Sequence, residues 1–166
     1  MAKATPDLIR ALRETADRLA SGARFQWTHM GCCNCGHLAQ TVTRLGQAHL
    51  HRIALEKAGD WAQQARDFCP DSGYPMDYVI QAMVDLGLST NDIADLERLS
   101  GDRVLKTLPP GMRGLDRRNR DHAVLYMRAW AELLASELDG DANAEGSVDV
   151  RDVAAAGRVR TLPERA

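Results

Sequence analysis

The chain has 166 residues, 45% of them hydrophobic, and a formal net charge of −2. That length suits one domain with a single core. The near-neutral charge argues against a general nucleic-acid binder. No apolar run reaches the ~18 residues that a membrane-spanning helix needs. The first residues lack the apolar core of a secretory signal, so the expected location is the cytoplasm, where thiols stay reduced.

Taken in chain order, the pattern is helical nearly throughout. Thr5-Pro6-Asp7 supplies an N-cap, a proline at the first helical position and an acid in the first turn. Leu8, Leu12, Ala16 and Leu19 then recur at helical spacing until Gly22. After a loop, a second helix is predicted from Gly36 to Ala58, ending at Gly59. Asp60 caps a short third helix from Trp61 to Phe68, followed by the turn Cys69-Pro70-Asp71-Ser72-Gly73.

Pro75 opens a fourth helix, with Val79, Ile80, Met83 and Leu86 facing the core and Gly87 as its stop. Ser89-Thr90 with Asp92 opens a fifth, carrying Ile93, Leu96 and Leu99 and closed by Gly101. Asp102 to Leu108 reads as a further short helix before Pro109-Pro110-Gly111. The last runs from Arg120 to Leu138, with Ala123, Met127, Trp130, Leu134 and Leu138 on one stripe. The expected fold is all-α: a single-domain helical bundle of about five to seven helices over residues 1–138. Residues 139–166 read as a polar C-terminal tail or docking arm.

The loop between the first two helices holds the densest chemistry. Residues 27–37 read Trp-Thr-His-Met-Gly-Cys-Cys-Asn-Cys-Gly-His, with three of the four cysteines and two of the five histidines. Thiolate and imidazole bind borderline metals well, and thiolate is a strong nucleophile. Cys32 and Cys33 are adjacent, which disfavours a disulfide between them. At about 100° per residue on one continuous helix, His49 falls in the core stripe and His51 on the far side. His37 and His49 are then about 18 Å apart along the axis. A tight hairpin at Gly59-Asp60 brings Cys69 back toward His49.

Two metal models follow. In one, Cys32 and Cys35 form a Cys-x-x-Cys knuckle completed by Cys69 and a histidine, His37 or His49. In the other, Cys33, Cys35 and His37 bind locally. The cofactor would be zinc, iron or an iron–sulfur cluster, with a structural or redox role. A competing enzyme reading is a metal-free thiol oxidoreductase using Cys32 and Cys35 at a helix start, with His37 moving protons. That motif resembles the start of the active site in alkylhydroperoxidase-D-like proteins, which are also all-α. Here the histidine follows the second cysteine sooner, and no acid lies between Arg24 and Cys35. The family is not assigned on this motif.

The third reading is a helical protein–protein interaction module with incidental cysteines, since free cysteine is often a small core residue. The expected partner is a protein or a small molecule, with neither nucleic acid nor membrane, and homo-oligomer formation stays open. Whether the chain is an enzyme stays open as well.

Overall fold

The structure is a computed structural model and describes residues 1–145. Eight α-helices and one 3-10 turn make up the regular structure of these residues, without strands. They are α1 (Pro6–Ala20), α2 (Asn34–Thr43), α3 (Gln47–Ala54), α4 (Trp61–Arg66), α5 (Pro75–Asp85), α6 (Thr90–Arg98), α7 (Asp102–Thr107) and α8 (Arg120–Glu145). No helix among them is long and apolar enough to cross a membrane.

α1 begins where the sequence says it should. The Thr5 hydroxyl accepts the Leu8 N–H at 3.1 Å, and Pro6 takes the first helical position. Its buried face is Leu8, Leu12, Ala16 and Leu19 with Ile9, Ala11 and Thr15. That face lies along α8, which contributes Ala123, Tyr126, Met127, Trp130, Ala131 and Leu134 to the core. Of the remaining helices, α2 joins this pair through α1 and α7 through α8. α2 packs on α1, α5 and α6, while α4 packs chiefly on α6. Ser89 and Asp92 form the expected capping box at the head of α6.

The predicted second helix is two helices. Arg44 sits in the left-handed region at φ 62°, and Gly46 caps the start of α3. The 44–46 break restarts the helical phase at Gln47. His49, placed in the core by one continuous helix, is exposed, whereas His51 is half-buried and Leu50 and Ile53 are buried. The extra helix also brings the number to eight. α4 stops at Arg66, two residues short of the expected Phe68. Cys69 follows in an exposed turn.

Gly101 does not close α6. Leu99 does so in the left-handed conformation at φ 55°. At Gly101 a Cβ would lie 2.4 Å from the Tyr126 hydroxyl oxygen, so the glycine admits the phenol. At the C-terminal end, α8 runs through Asp139 and Gly140 to Glu145, where a tail was expected. The rest of that expected tail, 146–166, lies outside the described residues.

Candidate functional site

The cysteine segment is a knot of short turns. Cys32 and Cys33 donate their N–H groups to the His29 carbonyl at 2.8 and 3.0 Å, and Gln26 N–H reaches the Cys32 carbonyl at 3.1 Å. Every residue from Gly31 to Ala39 is buried. Two glycines make the knot sterically feasible. A Cβ on Gly31 would lie 2.0 Å from the Gln47 carbonyl oxygen, and one on Gly36 would lie 2.2 Å from that of Met30.

The thiols diverge. Cys33 caps α2: its sulfur accepts the Gly36 N–H at 3.4 Å and its S–H faces the Met30 carbonyl at 3.5 Å. Cys32 donates to the Gln47 side-chain oxygen at 2.8 Å, at the head of α3. Cys35 donates to the Ile93 carbonyl at 3.2 Å, on α6. Burial pushes all three thiols above their ordinary range: Cys33 to about 12, Cys35 well above it, and Cys32 in the same direction. The neighbouring Cys33 and the Glu97 carboxylate raise Cys35 further. The thiolate-favouring effect of a helix start, expected from sequence, is outweighed by loss of water.

His37 is also buried. Its Nε2 is 2.9 Å from the Arg24 carbonyl oxygen, which fixes the proton on that nitrogen. Its Nδ1 is buried without a partner among the described residues. Burial holds this imidazole below its ordinary range, against the pull of the Arg24 carbonyl.

The other segments are tied in around the knot. The Met30 carbonyl also accepts the Trp61 indole N–H at 2.9 Å, from α4. The Asn34 amide donates to the Leu96 and Glu97 carbonyls, and the Trp27 indole N–H reaches the Glu97 carbonyl at 3.4 Å. The buried Glu97 carboxylate accepts the Ala62 N–H at 2.9 Å. The rings of His29 and His51 stack beside the loop. The segment thus contacts α3, α4 and α6 through specific hydrogen bonds.

Of the residues selected from sequence, Cys32, Cys33, Cys35 and His37 share this buried segment. His49 and Cys69 lie outside it and are exposed. The hairpin that was to return Cys69 to His49 is replaced by packing of α4 on α6. Among the described residues, no three His, Cys, Asp or Glu side chains form a set able to hold a metal ion.

Sequence reading passed over Gln47, set His51 on the far side of one continuous helix, and passed over Asn34 and Glu97. The first two carried a signal. Once α3 starts at Gln47, residues 47 and 51 are four apart and share a face. No protein-family model, curated protein or solved structure matches the chain.

Proposed function

We propose that the chain is a helical binding module that works through its surface, with Cys32, Cys33, Cys35 and His37 as a reduced packing node. The carrying observation is the divergence of the three buried thiols, each directed to a different acceptor. Thiol attack requires an accessible thiolate, and burial opposes it at all three positions. A metal would require these sulfurs to leave their acceptors and converge. The node instead serves geometry, because it joins the α1–α2 connection to α3, α4 and α6. Side chains free to meet a protein partner lie elsewhere, with Leu55 68% and Tyr78 66% exposed.

A second reading, zinc or iron held at this loop, is favoured by one observation. His37 has the arrangement common to metal-ligating histidines, with one ring nitrogen donating to a carbonyl and the other unpartnered. One experiment separates the two. Untagged protein is purified without oxygen, its metals are measured, and its thiols are counted with and without chelator. The packing-node reading expects metal-free protein in which Cys69 alone reacts quickly and the other three react after denaturation. Near-stoichiometric zinc or iron, with thiols unmasked by chelator, overturns it in favour of the metal reading. Rapid reaction of Cys32 or Cys35 in folded, metal-free protein overturns it in favour of thiol redox chemistry.

A further inference from the structure

We propose that the stacked pair of His29 and His51 binds a small oxyanion, a phosphate or carboxylate group, through its two Nε2–H donors. This goes beyond the reading of the cysteine segment and stands without it, since neither a thiol nor His37 takes part.

The pair is a set of fixed donors. Nδ1 of His51 accepts the Met30 N–H and Nδ1 of His29 accepts the Gly31 N–H, each at 3.2 Å. An imidazole nitrogen that accepts a hydrogen bond carries no proton, so in each ring the proton sits on Nε2. Met30 and Gly31 are consecutive, so the two rings turn the same edge to the loop. Their Nε2–H groups then lie side by side on the opposite edge. The ring centroids are 3.8 Å apart and the planes 20° from parallel, so the two donors are separated by about that distance. Two oxygens of one oxyanion can each take one of them. Neither Nε2 makes a hydrogen bond to the described residues. Main-chain contacts and stacking already hold both rings in place, so little ordering remains to oppose binding.

The charge around the pair is of one sign. The ionisable side chains that act on His29 are His51 and Arg24, and no carboxylate is among them. Neither histidine has an ion-pair partner among the described residues. The Arg24 side chain is exposed, and the group it meets is neutral, the Gln26 side-chain oxygen at 3.1 Å. Its charge also acts on Cys32, which places it over this end of the loop. Both histidines are half-buried, so a small anion reaches them and exchanges part of its water for charge-assisted hydrogen bonds. A metal ion suits the pair less well. It needs a lone pair on the nitrogen it meets, and both Nε2 lone pairs are taken up by protons.

The test uses the full untagged chain, isotope-labelled, at about pH 7.5, above the ordinary imidazole value. The probe is inorganic phosphate. Long-range imidazole spectra should first show the Nε2–H tautomer at His29 and His51. Phosphate should then shift the signals of both rings saturably, with a midpoint in the millimolar range. Sodium chloride at matched ionic strength should not. Acetate in a parallel titration separates the two sources: saturation by either anion supports the site, and the tighter one identifies the group. His51→Asn keeps an amide oxygen for the Met30 N–H and removes one donor, so it should weaken binding at least about tenfold. Arg24→Gln alters an exposed side chain and keeps the test decisive if His51→Asn fails to fold. It too should weaken binding severalfold. The Nδ1–H tautomer at either ring overturns the proposal. So does an absence of saturation by both anions, an equal response to chloride, or unchanged affinity in the folded variants.

Discussion

The imidazole rings of His29 and His51 stack with centroids 3.8 Å apart and planes 20° from parallel. Each ring accepts a main-chain N–H through Nδ1: His51 from Met30 at 3.2 Å, and His29 from Gly31 at 3.2 Å. In both, the ring proton must therefore sit on Nε2. The pair fastens the cysteine loop to α3 only while both Nδ1 atoms keep their lone pairs.

This arrangement predicts acid lability. Burial, then His51 and Arg24, hold His29 below its ordinary value of 6.5, and burial lowers His37 similarly. Between the lowered native values and 6.5, the unfolded chain binds more protons. The stability from these two groups is thus fully present above pH 6.5. It is lost as pH falls through the native values. Urea midpoints should stay level above pH 7 and fall toward pH 5. His29→Gln should make the fall shallower, and the Gly31 amide signal should move with it in NMR spectra. Midpoints that do not change between pH 7 and 5 would refute the assignment.

Glu97 predicts the opposite slope. Burial raises its carboxyl above the ordinary range, and the Ala62 N–H only partly opposes this. The native state then binds the extra proton, so this group's contribution is present below the unfolded value and lost as pH rises through the native one. Glu97→Gln keeps an oxygen for Ala62 and removes the buried charge. The variant should be as stable as the parent or more so at pH 7, by up to about 1 kcal/mol. Its advantage should vanish near pH 4. A loss above 2 kcal/mol at pH 7 would show that the charge itself is required there.

The helices were legible because their signals are local. Thr5-Pro6, Asp60 and Ser89 with Asp92 act within one turn, and each caps the helix it was read to cap. The break at Arg44 was not legible, because a non-glycine residue in the left-handed region carries no composition signal. That one residue changed the fate of both α3 histidines. Within the candidate site, Cys32, Cys33, Cys35 and His37, singled out for their density, share one buried segment. The acceptors of those thiols could not be read from spacing, since Ile93 lies 58 positions from Cys35. Glu97 was hidden for the same reason.

Gly36 offers a steric test of the knot. An added Cβ there would meet the Met30 carbonyl oxygen at 2.2 Å and the Gly31 carbonyl carbon at 2.6 Å. Both are backbone atoms and cannot rotate away. The usual gain of about 1 kcal/mol from glycine to alanine in a helix is too small to offset this. Gly36→Ala should lose about 2–3 kcal/mol or fail to fold. Gly46→Ala is the control, because Gly46 has φ −73° and open space around its Cβ position. It should change stability by a few tenths of a kcal/mol. Equal effects at the two positions would mean that the loop is looser than its packing implies.

The ion pair of Lys57 with Asp77 differs from those on the surface. Its Nζ–Oδ1 distance is 2.8 Å, with the two side chains 14% and 2% exposed. Lys57 also donates to the Asp67 carbonyl at 3.0 Å, and the Ser72 hydroxyl donates to Asp77. The pair therefore joins the α3–α4 connection, the end of α4 and the head of α5. Lys57→Met keeps most of the apolar stem and strands the Asp77 carboxylate, so the expected loss is about 3 kcal/mol. Arg10→Ala removes a shorter pair with Asp7, at 2.6 Å, but there both side chains are more than 60% exposed. Water already solvates those charges, and the expected change is below about 0.5 kcal/mol. Urea midpoints for the two variants decide the point. A loss below 1 kcal/mol for Lys57→Met would show that solvent reaches Asp77 as readily as it reaches Asp7.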